Sequence, residues 1–394
     1  MTVLYFADTR FPIERANGAQ TMATCHALAA RGHDVTLVVR PDTAARPRDP
    51  FAFYDWPANA RLTIRRIPSA GPAHARRARF LLSAAALAAR SSGIVYTRDL
   101  GLAAFLLQMP LGRRARVVYE SHGIADVVAA ELPRLLGAGA RVPSASKLAR
   151  LARREARVWK RAHGYVTLTQ ALADELAARF GPRQQVAVVP DGARIGQPAA
   201  PASAVPPAPV GSTVLGYAGH LYPWKGVDVL VRALADLPAA RALIVGGHPG
   251  ESDRQRIDAL ADALGVADRI TFTGLIPPGE VAARLAAATV LVLPNVPSAI
   301  SERYTSPLKL FEYLTMGRPI VASDLPAMRE VLTHEETALL VTAGDPQALA
   351  LAVRRLADAP ALAARLATGA RALAATYTWD RRADRLERVL EAVA

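Results

Sequence analysis

Short, almost wholly apolar runs alternate with helical patterns along the whole chain, and this alternation most narrows what it can fold into. In the first half the runs fall at residues 2–7, 34–39, 93–96, 116–119, 165–168 and 186–189; in the second they fall at 213–217, 242–245, 270–272, 290–293, 319–321 and 338–341. A strand that is apolar on both sides must be covered on both, which parallel sheets with crossover helices achieve. Between the halves, QPAAPASAVPPAPVG at residues 197–211 carries five prolines and no charge and reads as an extended linker. A chain of 394 residues also exceeds what one hydrophobic core usually supports. The predicted class is therefore α/β: two Rossmann-like, doubly wound parallel-sheet domains facing a cleft, with ligands at the strand C-termini. The predicted boundaries are 1–196, a linker at 197–211, 212–375, and a closing segment 376–394 that holds a helix.

Composition narrows the setting. Hydrophobic residues make up 51% and charged residues 21%, the balance of a folded chain. No apolar run approaches the roughly 18 residues of a membrane span. The start, MTVLYFADTR, lacks a basic leader and reads as a first strand. The single cysteine, Cys25, can form no internal disulfide and fits a reducing compartment, so a cytoplasmic location is expected. The net charge is +14, and it is unevenly placed. Residues 1–200 hold 29 Lys and Arg against 14 Asp and Glu, whereas the remainder holds 19 against 20. Only four of the basic residues are lysines: Lys147, Lys160, Lys225 and Lys309. A basic first half points to an anionic partner.

Several chemistries lack their motifs. The chain has no G-x-x-x-x-G-K-[ST], G-x-S-x-G, H-E-x-x-H, C-x-x-C or G-x-G-x-x-G, and no D-x-D to hold a divalent ion on phosphates. Phosphate must be met by backbone amides, helix N-termini and basic side chains, and no metal ligand is expected. Three segments of the second half supply such groups. In GYAGHLYPWKGVDVLVRAL, residues 216–234, a strand enters a loop with Gly219 and His220, and Lys225 stands at the mouth of the next helix. In SERYTSPLKLFEYLTMGRPIVASD, residues 301–324, Ser306 and Pro307 open a helix, with proline expected at its first position. Leu308 follows, and Lys309 and Glu312, three apart, share a face. Lys309 suits phosphate and Glu312 suits two ribose hydroxyls, although an ordinary surface ion pair would have the same spacing. In FTGLIPPGEV, residues 272–281, a strand ends in a loop with Gly274 and Ile276 whose backbone could meet a base edge, or could simply connect.

These three segments, in this order, resemble the donor-binding half of retaining glycosyltransferases of family 4, the glycosyl transferases group 1 of GT-B fold. First-half segments agree: NGAQ at 17–20, RGHDVTLVV at 31–39, YTRDL at 96–100, YESHG at 119–123 and VPDGAR at 189–194. The resemblance implies a metal-independent hexosyltransferase that takes a UDP- or GDP-sugar as substrate, needs no cofactor, and retains anomeric configuration. It places Lys225 on the donor diphosphate, with Lys309 and the amides around Ser306, Pro307 and Leu308 nearby. Glu312 would hold the ribose, and the loop with Gly274 and Ile276 the base. Gly219 and His220 would border the diphosphate, Gly18 would bring backbone close to phosphate, and His122 would line the sugar pocket. The closing helix would pack back on the first domain.

Two positions depart from the family pattern. Eight residues before Glu312, where the family commonly has an acid against the donor sugar, stands Tyr304. His220 occupies a place often held by a permanent cation, which leaves Arg98 or Arg303 to supply charge. Readings as a sugar-nucleotide epimerase, as a nucleotide-binding GT-B protein without turnover, or as a nucleic-acid binder through the basic half stay beside the transferase. The last lacks stacking aromatics among its arginines. The helix expected over residues 144–162, SASKLARLARREARVWKRA, is basic and amphipathic. It either lies on an anionic, lipid-bearing surface or packs on the sheet with solvated arginines. With Arg76, Arg77 and Arg79 it makes an anionic or lipid-linked acceptor an expectation, with peripheral contact at the inner membrane face.

Overall fold

The computed structural model of the chain describes residues 1–68, 70–109, 115–136, 140–196, 213–247 and 252–394; the linker expected at 197–211 lies outside them. Two compact units form. One comprises Met1–Ala130, Val142–Asp191 and Trp379–Ala394, the other Glu131–Arg141 and Gly192–Thr378.

In the first unit seven strands are β1 (Thr2–Arg10), β2 (Asp34–Arg40), β3 (Leu62–Arg66), β4 (Ile94–Thr97), β5 (Arg116–Ser121), β6 (Gly164–Thr167) and β7 (Val186–Val188). They form one parallel sheet in the order β3-β2-β1-β4-β5-β6-β7. The strand order reverses between β1 and β4. Sequence reading missed β3, LTIRR: it is an edge strand, mostly exposed, and carries no apolar run. The second unit holds β8 (Val214–Ala218), β9 (Arg241–Val245), β10 (Ile270–Gly274), β11 (Val290–Leu293), β12 (Ile320–Ser323) and β13 (Leu339–Val341). This sheet is also parallel, in the order β10-β9-β8-β11-β12-β13, and reverses between β8 and β11. Successive residues serve opposite faces, as period two requires. Leu215, Tyr217, Ile244, Val290 and Val292 join one buried cluster, while Val214, Ala218, Leu243, Val245, Leu291 and Leu293 join another.

The basic helix spans Ala145–Arg161 and is capped by the Ser144 hydroxyl, which accepts from the Lys147 amide at 3.3 Å. Its inner side is spent on packing. Val158 and Trp159 are buried, and the Trp159 indole donates to the Gly181 carbonyl at 2.9 Å. Lys147, Arg150, Arg153, Arg157, Lys160 and Arg161 are exposed. A packed helix with a solvated cationic face results, and the apolar stripe is not free to enter lipid.

The closing helix, Trp379–Val393, is part of the first unit, with Leu386 and Leu390 fully buried. On its surface side Arg31 reaches Asp380 at 3.1 Å, Asp384 at 3.2 Å and Glu387 at 2.5 Å. Deeper, the buried Arg382 donates to Glu120 at 2.6 Å and to the Val189 carbonyl at 2.7 Å. Glu120 also accepts from Gln20 at 2.7 Å, from His122 at 2.6 Å and from the Tyr96 hydroxyl. Burial opposes its ionisation, but Arg382 and His122 outweigh it and hold the carboxyl well below the usual range. Removing one partner of such a pair leaves an uncompensated buried charge. Arg382→Met should therefore lower unfolding free energy by about 3–5 kcal/mol, and Glu120→Gln in the same chain should recover part of it. Urea titration of the two single variants and the double variant checks this.

Candidate donor-binding site

The site in the second unit is built where its strand order reverses. β8 runs into a loop whose Gly219 amide donates to the Val245 carbonyl at 2.8 Å. Pro223–Lys225 forms one 3-10 turn, and Gly226 at φ 68° starts the helix Val227–Ala235. A Cβ on Gly226 would stand 1.8 Å from the Pro294 carbonyl oxygen, so only glycine lets this turn approach the strand beside it. Lys225 is delivered to the mouth of the helix by that turn.

The second lysine comes from across the reversal. Pro307, in extended conformation at φ −77° and ψ 121°, caps the helix Leu308–Thr315. Proline thus sits at the cap and not at the first helical position, because the helix begins one residue later than expected. Lys309 is buried, its Nζ lies 3.6 Å from the centre of the Tyr217 ring, and it has no hydrogen-bond partner among the described residues. A Cβ on Gly219 would be 3.7 Å from that Nζ, which places the ammonium against the glycine backbone. The cradle is rigid: Tyr313 accepts from the Ala218 amide at 2.8 Å, and Tyr217 donates to the His220 carbonyl at 2.7 Å.

Burial works against the charges in this cradle. Burial pushes Lys225 down to about 8. Burial and then repulsion from Lys225 push Lys309 well below the usual lysine range, against the pull of Glu312. Burial raises Glu312 to about 7, opposed by Lys309. Two confined ammonium groups, one without a partner, can accept a multiply charged anion. The buried side-chain amide of Asn295, after β11, likewise has no hydrogen-bond partner among the described residues.

Gly274, at φ 70°, ends β10 and pairs with Gly246 in an isolated antiparallel bridge. A Cβ on Gly246 would in turn meet the Gly219 carbonyl oxygen at 2.4 Å. Gly219, His220, Lys225, Gly274, Lys309 and Glu312 therefore belong to one patch at the strand ends, while Ile276 is half-buried beside it. Ser306 lies at the same helix mouth. Sequence reading did not single out Gly246 and Gly247; the Gly-Gly pair directly after an apolar strand was the available signal. Tyr304, the departure from the family pattern, is buried at the end of the turn Ile300–Tyr304.

Gly18 and His122 stand in the first unit. A Cβ on Gly18 would meet the Tyr54 hydroxyl at 2.3 Å and Ile13 at 2.5 Å, so local packing alone demands glycine there. The His122 ring accepts from Arg98 at Nδ1, 2.9 Å away, and donates from Nε2 to Glu120. Burial and the Arg98 charge push the imidazole down to about 4 despite Glu120. His122 is a neutral, oriented ring with both nitrogens engaged, not a poised base. Arg98 also reaches Gln20, on the glycine-bearing helix Ala16–Ala30.

With this geometry in hand, comparison with known proteins defines the class. The two parallel-sheet α/β units are those of GT-B glycosyltransferase structures. Sucrose-phosphate synthase from Thermosynechococcus elongatus superposes with a TM-score of 0.77 at 21% identity, covering 99% of this chain and 98% of that one. Anabaena Alr3699/HepE, solved with UDP and glucose, gives 0.74 at 17% identity over 99% of each chain. More particularly, residues 17–192 match the glycosyl transferase 4-like domain and residues 212–359 the glycosyl transferases group 1 domain. The two matches follow one another along the chain, each over less than half of it. A D-inositol 3-phosphate glycosyltransferase of Acidothermus cellulolyticus is 34% identical over 182 residues, 44% of this chain and 39% of that relative. The match spans about two fifths of the relative's length.

Two expectations follow from the cradle. Gly226→Ala forces both a clash and a left-handed alanine, so it should cost at least about 1–2 kcal/mol, read as a lowered melting temperature. Lys225 must be protonated to hold an anion, and its value lies near 8. Affinity for sulfate, whose own charge is constant, should therefore fall as pH rises through about 7 and 8, where Glu312 gains its negative charge and Lys225 loses its proton, with deprotonation of Lys309 adding to the fall; calorimetric titration across that range checks it.

Proposed function

We propose that the chain is a glycosyltransferase that moves a sugar from a nucleoside diphosphate sugar, UDP- or GDP-linked, to an acceptor with retention of configuration and without a metal. The carrying observation is the partnerless Lys309 ammonium, buried beside Lys225 against the Gly219 backbone. In this reading the donor's bond from sugar carbon to diphosphate oxygen breaks with its electron pair staying on the diphosphate, an acceptor hydroxyl oxygen bonds that carbon, and the hydroxyl proton passes to the departing diphosphate oxygen. Lys225, Lys309 and the amides near Ser306, Pro307 and Leu308 stabilise that charge, which a mobile solvent shell would meet only after reorganising. Glu312 accepts the ribose hydroxyls, and the loop bearing Gly274 and Ile276 faces the base. His122, engaged at both nitrogens, positions the sugar; no general base is assigned.

For the acceptor, the reading favours an anionic or lipid-linked molecule. It rests on the charge excess of the first half and on the exposed cationic face of the Ala145–Arg161 helix. That face can approach an anionic membrane surface electrostatically, since its apolar side is already used. The similar relative named for inositol 3-phosphate carries an acidic group in its own named substrate. A protein that binds nucleotide without turnover is the second reading, because Tyr304 replaces an acid beside the donor sugar.

Thermal shift with UDP, GDP, ADP and dTDP, then nucleotide release from the matching sugar nucleotide with EDTA present, tests both. One nucleotide should stabilise the chain, release should survive EDTA, and Glu312→Ala should weaken nucleotide affinity by roughly tenfold or more. Unchanged affinity in that variant removes Glu312 from the site. Binding without release in the presence of candidate acceptors favours the second reading, and no shift with any nucleotide overturns the donor site.

A further inference from the structure

β7 is the last strand of the first sheet, with β6 as its one neighbour. The parallel ladder to β6 uses alternate residues. The Gln185 carbonyl accepts from the Tyr165 amide at 3.2 Å, and the Val189 amide donates to the Thr167 carbonyl at 2.8 Å. Ala187, midway between them, faces β6 as well, so the amides and carbonyls of Val186 and Val188 point away from the sheet. Among the described residues no strand meets them. Such an edge is a template for another chain.

The closing helix turns this edge into a groove. A Cβ on Gly164 would meet Val389 at 3.1 Å and Val393 at 3.4 Å, so that side of β6 faces the helix. Val166 shares the side, and Ala187 lies beside it in register. A space of about 340 Å³ remains there, lined by the β7 segment and by Arg385, Arg388, Val389, Ala392 and Val393. The helix runs against the strands: Arg382 reaches the Val189 carbonyl beyond the end of β7, whereas Val393 lies over Gly164 at the start of β6. The groove is therefore cationic toward the C-terminal end of β7 and apolar toward its start. Two arginines line it and no acid does. Arg388 is exposed, and among the described residues only its Nη2 has a partner, Asp384 at 2.6 Å.

We infer that this groove docks an extended acidic segment of a partner protein, which adds to β7 as a new outer strand and sets a carboxylate against Arg388. Two features select that occupant. The outward backbone groups of Val186 and Val188 need polar partners in a row, which a peptide strand supplies at every second residue and an acyl chain does not. Charge disfavours a second copy of this chain, since residues 1–200 hold 29 Lys and Arg against 14 Asp and Glu and both pairing surfaces would be cationic. Alternate side chains of the added strand would lie under the closing helix, small at one end and acidic at the other. The groove uses no residue of the lysine cradle, so the inference is independent of the transferase reading.

Fluorescence anisotropy on the full chain tests it with a labelled, capped heptapeptide. Alternate positions of the probe read alanine, alanine, glutamate and glutamate, with threonine between them; the control carries lysine in place of glutamate. The glutamate peptide should bind, with slowed amide exchange at Val186 and Val188, and the lysine peptide should bind at least about tenfold more weakly. Val188→Pro removes one outward N–H and leaves the ladder to β6 intact, so it should weaken binding about fivefold. Arg388→Glu should weaken it about tenfold without touching the strand. Absence of glutamate-peptide binding up to about 1 mM overturns the proposal. So does equal affinity in the wild-type chain and Arg388→Glu, or equal affinity for the two peptides. Concentration-dependent sedimentation of the wild-type chain that Val188→Pro abolishes overturns it in favour of a second copy. Decanoate that displaces the peptide and binds Val188→Pro as well as wild type overturns it in favour of an acyl chain.

Discussion

Two ammonium groups held close together out of water repel one another and lose hydration, and the second unit is arranged around that pair. Lys225 arrives on a 3-10 turn that only a glycine at 226 can close against Pro294. Lys309 arrives on a helix from the other side of the strand reversal and rests on the Tyr217 face. Neither lysine meets the other until both sheet connections are made. Burial depresses both pKa values, and repulsion from Lys225 lowers that of Lys309 further. Free energy of this kind is recovered when an anion enters, so the cradle is preorganised toward charge and not toward stability.

The first unit solves a related problem with the opposite sign. Glu120 is a buried carboxylate at the end of β5, and four side chains from different parts of the chain donate to it. Arg382 comes from the closing helix and Gln20 from the first one, so the network ties the chain's two ends to the middle of the sheet. His122 is oriented by the same network, which uses up both its nitrogens, while burial and the Arg98 charge keep it neutral against the pull of Glu120. A buried carboxylate so fully satisfied is an anchor, and the ring beside it acquires a fixed direction.

Most strands were legible because their apolar runs must be buried on both faces whatever their order. β11 at Val290–Leu293 matches the residues read from pattern, and the closing helix Trp379–Val393 falls inside the segment 376–394 expected to hold it. β3 was not legible, since an edge strand needs no apolar run and LTIRR carries arginines. In the site, Lys225, Lys309 and Glu312 stood out as charges in apolar surroundings next to glycine or proline. Gly246 and the stacked rings of His220, Tyr222 and Trp224 did not, because their meaning depends on what lies opposite. The three rings read in sequence as unrelated residues, and they stack only through the turn that the loop makes at Pro223–Lys225.

The sequence by itself determined the two parallel α/β layers, the uneven charge and the candidate lysines, since burial patterns and charge are properties of the residues in order. Tertiary structure alone decided which charges share a floor, which way His122 faces, and that three alternate rings stack. Those properties depend on distances between segments that are far apart in the chain, and strand order at the two reversals sets such distances. No local preference encodes them, because repulsion, solvation and stacking act through space and not along the backbone.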